Sequence, residues 1–294
     1  MFLPELENEA IHIMREVAAQ FKHPLILFSG GKDSLTLIHL AYKAFWPAPI
    51  PFKVLHIDTG HNFPETIAFR DKIADQYQLD LVVGSVQASI DKGDATEEQG
   101  RDASRNALQT VTLLSSIADL QADACIGGAR RDEEKARAKE RIFSVRNNNG
   151  GWDAEAQRPE LWNLYNGHIQ PNQNVRIFPL SNWTELDVWN YILTEKLEVP
   201  SIYFTHQRQV FYRDNVLMPH SEHIIMDGET VFGDHVRFRT VGDMSCTAAI
   251  KSDAMTVAEI IDEITHSEES ERGARMDDQR SACAMEDRKS KGYF

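Results

Sequence analysis

Cysteine, positive charge and long apolar runs are all scarce in this sequence. Its cysteines are Cys125, Cys246 and Cys283, which lie far apart and form no C-x-x-C pair. An odd, scattered set excludes a disulfide framework or a cysteine-based zinc cluster and is typical of a reducing compartment. No run approaches the ~18 apolar residues of a membrane helix, and the acidic N-terminus lacks the segments of a secretion signal. We therefore predict a soluble, cytoplasmic protein without a membrane contact.

Basic residues are too few to dominate the surface. Lys and Arg total 31 against 45 Asp and Glu, which leaves a formal net charge of −14. Binding along a nucleic acid requires a net basic face that neutralises phosphates, so the composition argues against a nucleic-acid partner. The 294 residues are 42% hydrophobic, which is enough for a sizeable core. This length predicts either one α/β domain with an appended region or two smaller domains.

The first half of the chain alternates between predicted strands and predicted helices. Strands are predicted at residues 24–28, 52–57, 79–83 and 122–126, and helices at residues 5–21, 35–45, 64–78 and 103–120. The first strand is an unbroken apolar run, which is typical of a strand buried on both faces of a parallel sheet. The alternation predicts a doubly wound, mostly parallel α/β sheet, and such sheets bind ligands at the carboxyl ends of their strands.

The second half of the chain has a less regular pattern. Thr184 and Asp187 have capping-box spacing at the start of a predicted helix, and a further helix is predicted at residues 257–264. Trp and Pro are frequent between these regions without a clear period. We predict an α/β domain over residues 1–200 and an irregular C-terminal extension over residues 201–294 that contributes to the site and to partner contacts.

Polar segments containing glycine follow three of the predicted strands. Ser29-Gly-Gly-Lys-Asp-Ser34 follows the first strand, Asp58-Thr-Gly60 the second and Gly127-Gly128 the fourth. Glycines let backbone N–H groups approach an anion, the start of the next helix adds partial positive charge, and Lys32 adds a full charge. The first segment is neither G-x-x-x-x-G-K-[ST] nor G-x-G-x-x-G. The alternative to an anion-binding loop at residues 29–34 is a tight strand–helix turn with a serine cap.

The Ser-Gly-Gly-x-Asp-Ser pattern of residues 29–34 resembles the ATP pyrophosphatases, also called the PP-loop superfamily. Members cleave ATP between the α and β phosphates, and this loop holds the pyrophosphate; their fold is the adenine nucleotide alpha hydrolase-like doubly wound sheet. The resemblance implies that ATP or its pyrophosphate binds to Ser29, Gly30, Gly31, Asp33, Ser34, His56, Asp58, Thr59, Gly127 and Gly128. A packed histidine remains the alternative for His56, and a turn residue the alternative for Asp58.

Further segments resemble the sulfonucleotide branch of that superfamily and, within it, the small subunit of bacterial sulfate adenylyltransferase. The matching segments are His56-Ile-Asp-Thr-Gly60, Phe63-Pro-Glu-Thr66, the run from Gly127 to Arg141, Gln157-Arg-Pro-Glu-Leu-Trp162, Phe178-Pro-Leu-Ser-Asn-Trp-Thr-Glu185, Val236-Arg-Phe-Arg-Thr240 and Lys291-Gly-Tyr-Phe294. The resemblance covers nearly the whole chain. It departs at Gly30, where the best-known small subunits carry Ile, and at residues 242–248, where they carry a different segment.

This resemblance implies transfer of the AMP part of ATP to sulfate, with release of pyrophosphate, as the first step of sulfate assimilation. It also implies Mg²⁺ bound with ATP and a GTPase large subunit that drives the reaction, since no G-x-x-x-x-G-K-[ST] motif occurs in this chain. Such chemistry requires positioning and charge stabilisation more than covalent participation. The candidate catalytic residues are Lys32, Arg130, Arg131 and Arg146. Asp33 and Asp58 are the candidate ligands of Mg²⁺, and orienting Lys32 is the alternative role for them.

Arginines supply the candidate contacts to sulfate and phosphate, because the guanidinium fork matches their oxygens. Residues 129–146 contain seven basic and four acidic residues, a local excess of positive charge in an acidic chain. A solvated helix with pairs such as Glu133–Arg137 is the alternative. Arg237 and Arg239 alternate with apolar residues and are predicted to share one strand face, where they bind sulfate or phosphate or form a sheet-edge ion pair.

Three other functions are weaker interpretations. A phosphoadenosine phosphosulfate reductase requires a cysteine that this superfamily branch carries in Glu-Cys-Gly-x-His, whereas Cys283 lies in Ser281-Ala-Cys-Ala-Met285. A tRNA-modifying PP-loop enzyme adds a basic module or paired cysteines, and this chain has neither. A nucleotide sensor without catalysis does not require the arginines.

The charged tail after residue 267 is predicted to order on the nucleotide or on the partner, with a disordered tail as the alternative. Trp183 and Trp189 are predicted to be anchors in the core.

Overall fold

Two β-sheets organise the chain, which a computed structural model describes at residues 2–133, 138–147, 151–170, 173–267 and 271. The strands of the first sheet are β1 (Pro24–Leu27), β2 (Lys53–Asp58), β3 (Asp80–Ser85), β4 (Ala124–Ile126), β5 (Phe143–Arg146) and β6 (Asn174–Ile177). Their order is β3-β2-β1-β4-β6-β5. All neighbours are parallel except β5, which is antiparallel to β6 at the edge. The predicted doubly wound, mostly parallel sheet is confirmed.

The strand order creates a crevice beside the central strand. After β1 the chain winds outward through β2 and β3, and it then returns to place β4 on the opposite side of β1. This reversal between β1 and β4 is a topological switch point, and ligands of doubly wound sheets bind at the carboxyl ends of the strands on either side of it. The loop of residues 29–34 follows β1 and Gly127 follows β4, so both face this crevice.

Helices cover both faces of the first sheet. The α-helices of the described part are α1 (Leu3–Gln20), α2 (Lys32–Phe45), α3 (Pro64–Tyr77), α4 (Val86–Lys92), α5 (Gln109–Asp119), α6 (Glu185–Glu195) and α7 (Val257–His266). Leu6, Ala10, Ile13, Met14 and Val17 of α1 are buried in the main core, together with Trp183 and Trp189. The prediction that these tryptophans are core anchors is therefore confirmed. On the other sheet face, Leu113 and Ile117 of α5 pack against Leu25 and Leu55.

Helix α6 begins where its capping box predicts. The Thr184 Oγ1 accepts the backbone N–H of Asp187 at 3.1 Å, and a carboxylate oxygen of Asp187 accepts the N–H of Thr184 at 2.8 Å. These two bonds satisfy donors that the start of a helix leaves without partners. The helix runs to Glu195.

Two predictions in the region before β4 were wrong in detail. The helix predicted from residue 103 begins at Gln109, and the short helix α4 was not predicted. Residues 104–106 are polar and buried, and their hydrogen bonds are those of a turn: Arg105 reaches the Thr59 carbonyl, and the N–H of Asn106 reaches Ser104 Oγ. These contacts with distant residues override the helical pattern of the sequence.

The predicted irregular extension contains a second sheet. Strands β7 (His206–Arg213), β8 (Val216–Pro219), β9 (Phe232–Arg237) and β10 (Ile250–Lys251) form an antiparallel sheet in the order β10-β9-β7-β8. Asp214 and Asn215 join β7 to β8 with positive φ angles of 47° and 64°. This is the two-residue hairpin that Asp and Asn favour, so the sequence carried a signal that the prediction missed.

The residues after position 200 share a core with those before it. Ala254 and Ile260 of the later region belong to the same apolar cluster as α1 and α2. The division into residues 1–200 and 201–294 stays a prediction. Among the described residues, no helix combines the length and apolar character needed to cross a membrane.

Candidate active site

A cavity of about 240 Å³ occupies the crevice at the switch point. Its polar end is formed by the loop after β1 together with Gly127 and Gly128. Its apolar end is lined by Leu27, Leu55, Ile57 and Leu113. One end thus offers donors and charge for an anion, and the other offers apolar surface for a flat ring, which is the combination that a nucleotide requires. The predicted site residues that line this cavity are Ser29, Gly31, Lys32, Asp33, Ser34, His56, Gly127 and Gly128.

Serine hydroxyls hold the loop in shape. Ser29 Oγ lies 3.1 Å from Ser34 Oγ, and it accepts the N–H of Gly31 at 3.3 Å. Ser34 Oγ also donates to the carbonyl of Gly31 at 3.0 Å. Gly31 is the N-cap of α2 and has no side chain to cap the helix. The positive end of α2 therefore points at the cavity rather than at a capping side chain.

Close packing around the loop explains its glycines. Gly30 has a φ of +80°, and a Cβ there would lie 2.8 Å from Thr66 Cγ2. A Cβ on Gly128 would lie 3.0 Å from Asp33 Cβ and 3.2 Å from the Asp33 backbone carbon. The backbone after β4 therefore lies directly against the backbone of the loop. A side chain at either position requires the two segments to separate or the loop to change shape.

Charged side chains converge at the polar end. Asp33 joins two cations: one carboxylate oxygen accepts from Lys32 Nζ at 2.9 Å, and the other accepts from Arg130 Nε at 2.8 Å. Lys32 Nζ and Arg130 Nη2 also contact the two carboxylate oxygens of Glu271. The Lys32 side chain is only 1% exposed. Lys32 and Arg130 are therefore paired cations at the end of the cavity where the anion of a nucleotide would lie.

The ion pairs fix the charge state of these groups. Burial opposes the charge of Lys32, but Asp33 and Glu271 outweigh it and raise the pKa of Lys32 above its usual value. Burial also opposes the charge of Asp33, whereas Lys32 and Arg130 hold its pKa below the usual value. Lys32 and Arg130 are thus positive and Asp33 is negative at neutral pH. The charge available to a ligand depends on how many carboxylates share the cations.

His56 lines the cavity as a neutral side chain. Its Nδ1 lies 2.8 Å from the carbonyl oxygen of Phe28, which can only accept, so Nδ1 carries the hydrogen. Burial lowers the pKa of His56, and its Nε2 has no hydrogen-bond partner among the described residues. A neutral, anchored imidazole is suited to shaping the site and not to carrying charge.

Asp58 and Thr59 form a turn beside the cavity rather than part of its lining. Asp58 Oδ1 accepts the N–H of Gly60 at 2.7 Å. Thr59 donates its N–H and its hydroxyl to Asn62 Oδ1 at 2.9 Å and 3.0 Å. Asn62 itself lines the cavity. These contacts of Asp58 are those of a turn residue, which is the alternative to a ligand-binding role for it. The turn places Asn62 at the cavity.

The structure separates the predicted arginines. Arg130 lies in the charged cluster with Lys32, but Arg131 reaches Asn182 and the carbonyl of Glu140. Arg146 pairs with the buried Glu140 at 2.6 Å, on the edge strand β5. Lys135 and Arg137 of the predicted basic segment lie outside the described residues. Among the described arginines between residues 130 and 146, none contacts Asp33 or Glu271 except Arg130.

Arg237 and Arg239 line a second cavity of about 220 Å³, next to Lys251 and Glu263. Arg237 pairs with Glu263 at 2.7 Å, and Arg239 pairs with Glu185 at 2.7 Å. Arg237 belongs to β9, which is an inner strand of its sheet, whereas Arg239 lies beyond the end of that strand. The two arginines line the same cavity, whereas the alternating Val236 and Phe238 are fully buried in an apolar cluster.

Comparisons with known proteins agree with this geometry. Residues 23–249 match the phosphoadenosine phosphosulfate reductase domain family. A protein of Streptomyces lavendulae named sulfate adenylyltransferase subunit 2 is 57% identical over 98% of this chain and 91% of its own length. A protein of Mycobacterium tuberculosis with the same name is 56% identical over 98% of this chain and 93% of its own length. The chain belongs to the sulfate adenylyltransferase subunit 2 family.

A solved structure with a similar chain path is that of phosphoadenylyl-sulfate reductase from Candida auris in a phosphate complex. It covers 68% of this chain and 88% of its own, with 17% sequence identity and a TM-score of 0.45.

The structure describes the two segments at which the sequence departs from the best-known members of the subunit 2 family. At Gly30, the positive φ and the Thr66 methyl group leave no room for the isoleucine of those members. In residues 242–248, the side-chain Oδ1 of the buried Asp243 accepts the N–H of Ser245 at 2.8 Å. The backbone carbonyl of Asp243 accepts the hydroxyl of Thr247 at 2.8 Å. This segment is therefore a closed turn, and its Gly242 lines the cavity.

Asp33 and Asp58, the predicted ligands of Mg²⁺, both make contacts within the protein. In the described part of the chain, no group of three or more His, Cys, Asp or Glu residues is placed to hold a metal ion. Both carboxylate oxygens of Asp33 accept hydrogen bonds, one from Lys32 and the other from Arg130. One oxygen of Asp58 accepts the N–H of Gly60 within its turn. Mg²⁺ is commonly bound by substrate phosphates, water and one or two carboxylates.

Tyr203 is a site residue that the sequence did not reveal in this member of the subunit 2 family. Its hydroxyl accepts the backbone N–H of Lys32 at 3.0 Å, across 171 positions of sequence. Its ring packs edge-on against Trp189, and the side chain lines the cavity. No motif marks this residue, because its role arises only when the short helix Ser201–Tyr203 packs against the start of α2.

Replacing Tyr203 with phenylalanine is expected to lower the free energy of unfolding by about 1 kcal/mol, because the Lys32 N–H loses a buried acceptor. Urea unfolding of Tyr203→Phe measures this difference. Tyr212→Phe is the matched control, since Tyr212 lies on β7 and its side chain is largely exposed. Equal stability of the two variants would contradict a role for the hydroxyl in holding the loop.

His61 makes the stability of the fold depend on pH. It stacks on His223 with ring centroids 4.1 Å apart, next to the buried Asp243. Burial, followed by the charges of His223 and Arg105, lowers the pKa of His61 to about 4. The fold therefore favours neutral His61. Its contribution is complete above the ordinary pKa of 6.5 and is lost as the pH falls towards 4.

Between about pH 7 and about pH 4, this titration is expected to remove roughly 3 kcal/mol from the free energy of unfolding. The fall in stability should be smaller by that amount in His61→Asn. His220→Asn, which changes an exposed histidine, should lose stability like the unchanged protein. Parallel pH dependence in all three proteins would contradict this account.

Proposed function

We propose that this chain transfers the adenylyl group of ATP to inorganic sulfate, forming adenosine 5′-phosphosulfate and pyrophosphate. The observation that carries the proposal is the cavity at the switch point. Lys32 lines its polar end beside Asp33, which also pairs with Arg130 after β4, and its other end is apolar. The family membership supplies the reaction, and the cavity supplies a place for the pyrophosphate and for the base.

The chemistry requires little proton transfer from the protein. A sulfate oxygen attacks the α-phosphorus, and the bond from that phosphorus to the bridging oxygen of the β-phosphate breaks. Negative charge develops on the departing pyrophosphate, where Lys32, Arg130 and the N-terminus of α2 would stabilise it. Sulfate is fully ionised at neutral pH, so the attack needs no general base. A neutral His56 held by Phe28 is consistent with such a mechanism.

Sulfate has a candidate entry site in the second cavity. Arg237 and Arg239 line that cavity, and the next residues along the chain, 240–242, line the first one. Residues 237–242 therefore contribute to the lining of both cavities, and each cavity contains basic side chains. Arg237 Nη1 is buried without a hydrogen-bond partner among the described residues, and a buried donor of this kind is satisfied by an oxyanion. We assign Arg237 and Arg239 to sulfate, and Lys32 and Arg130 to pyrophosphate.

The proposal includes a partner and a metal. The relatives are named as a second subunit, which implies a further subunit in their assemblies. We propose that the partner of this chain is a GTPase, because forming a phosphate–sulfate anhydride from ATP is strongly uphill. Mg²⁺ bound to the ATP phosphates would neutralise part of their charge. The cytoplasm, where ATP and a reduced thiol pool coexist, is the proposed compartment.

A reductase is the alternative that the domain match raises. That reaction requires a reactive cysteine at the nucleotide. Cys125 is fully buried within β4, and Cys246 is buried in the closed turn of residues 242–248. Neither lines the cavity, and Cys283 lies outside the described residues. The described cysteines therefore give the reductase no support.

Sulfate-dependent exchange of labelled pyrophosphate into ATP tests the proposal. The full chain is assayed with Mg²⁺, with and without a co-expressed GTPase partner. We expect exchange that requires sulfate and is faster with the partner. Exchange that is independent of sulfate would indicate another acceptor. A folded chain that binds ATP but gives no exchange in either assay would be a nucleotide sensor.

A further inference from the structure

Glu271 places a carboxylate in the cationic end of the main cavity. One of its oxygens contacts Lys32 Nζ and the other contacts Arg130 Nη2. The Glu271 side chain is only 6% exposed. It reaches these cations from 239 positions beyond Lys32 in the sequence. The contact is therefore made by a distant part of the chain and not by the loop itself.

The charges show what this carboxylate does to the site. Lys32 and Arg130 contribute two positive charges, and Asp33, which lies between them, contributes one negative charge. Without Glu271 these three side chains are net positive and can receive an oxyanion, and the half-exposed Asp132, 3.7 Å from Arg130 Nη1, screens part of that charge from the solvent side. With Glu271 the cluster is neutral, and the two cations donate to carboxylate oxygens as they would donate to oxygens of phosphate or sulfate.

We infer that Glu271 is an internal oxyanion that occupies the anion seat formed by Lys32 and Arg130, and that the anions of the reaction must displace it to bind. The inference rests on the proposed function for the identity of those anions, pyrophosphate and sulfate. Because Glu271 is tethered to the site, it competes at a high effective concentration. The apparent affinity for an incoming anion is reduced by the fraction of molecules in which the seat is filled.

A purely structural ion pair predicts the opposite effect of substitution. If Glu271 only supported Lys32 and Arg130, its removal would leave them less ordered and would weaken anion binding. If Glu271 competes with the anion, its removal leaves the seat open and strengthens binding. Burial raises the pKa of Glu271, because it destabilises the ionised carboxylate relative to water. This loss of solvation favours the displacement of Glu271 by an incoming anion.

Calorimetric titration of the full chain with inorganic pyrophosphate, and separately with sulfate, distinguishes these two roles. Glu271→Gln is expected to bind at least one of the anions with a dissociation constant about tenfold lower, as when a site that is open about a tenth of the time becomes fully open. Glu198→Gln is the matched control, because Glu198 pairs with Lys72 on the surface and is 61% exposed. It should bind both anions like the unchanged protein.

The two titrations also assign the seat. Tighter binding of pyrophosphate alone gives the seat to the leaving group, and tighter binding of sulfate alone would contradict the assignment of Lys32 and Arg130 to pyrophosphate. Glu271→Ala, which cannot mimic the carboxylate in shape, should show the same gain. Unchanged or weaker binding of both anions by the two folded variants would overturn the inference. Because these are binding measurements, a gain in affinity without sulfate-dependent exchange would count against the proposed function alone.

Discussion

Replacing Lys32 with glutamine is expected to slow sulfate-dependent ATP–pyrophosphate exchange about 10³-fold, because a preorganised charge at the leaving group is lost. Glutamine is nearly as long as lysine and can begin α2, so the loop keeps its backbone position. Its amide retains a donor for Asp33 but not the positive charge. The expected loss therefore reports on charge at the departing pyrophosphate.

Lys43→Gln is the control for the loss of a lysine ion pair. Lys43 pairs with Glu7 and Glu195, and it does not line the main cavity. This variant should exchange pyrophosphate at the rate of the unchanged protein. A Lys32→Gln protein that exchanges nearly as fast as Lys43→Gln would show that the loop cation does not stabilise the leaving group.

Replacing Gly128 with valine is expected to slow the same exchange at least about 10²-fold, because a shift of about 1 Å in positioning can have that effect. The Cβ alone would lie 3.0 Å from Asp33 Cβ and 3.2 Å from its backbone carbon. Neither atom is the end of a flexible side chain, so the backbone after β4 must move away from the loop. Lys32 and Arg130 would then no longer converge on the same anion.

Gly233→Val provides the matched control for this substitution. Gly233 lies in β9, a Cβ there would meet the ends of two flexible side chains, Gln209 Nε2 at 3.5 Å and Gln207 Nε2 at 3.6 Å, and valine is favoured in strands. The control should retain its exchange rate and its thermal unfolding midpoint. If Gly128→Val is as active as Gly233→Val, the contact between the two strand-end segments is not required for the reaction.

The loop could be predicted from sequence because its chemistry is local. Residues 29–34 provide glycines, hydroxyls and a lysine within one strand–helix turn, and the strand before them is apolar throughout. Parallel strands bring their carboxyl ends to one sheet edge, so the positions of Gly127 and Gly128 followed from the fold class. The wider resemblance to the family identified sulfate as the acceptor of the AMP group.

The rest of the site depends on contacts between distant positions. Tyr203 and Glu271 meet Lys32 across 171 and 239 positions, and no periodicity or motif announces such contacts. The arginines illustrate the opposite problem, since they are close in sequence but separate in space. Arg130 turns towards Asp33, whereas Arg146 lies on β5 and pairs with Glu140. A local excess of charge therefore did not predict which guanidinium reaches the cavity.

The reverse reaction gives the most direct measurement of the central claim. The chain is mixed with adenosine 5′-phosphosulfate, pyrophosphate and Mg²⁺, and the appearance of ATP and sulfate is followed. This direction is downhill, so it should proceed without a GTPase partner. We predict ATP formation that requires pyrophosphate and is lost in Lys32→Gln. Release of AMP in place of ATP, or no reaction by the folded protein, would contradict adenylyl transfer between pyrophosphate and sulfate at this cavity.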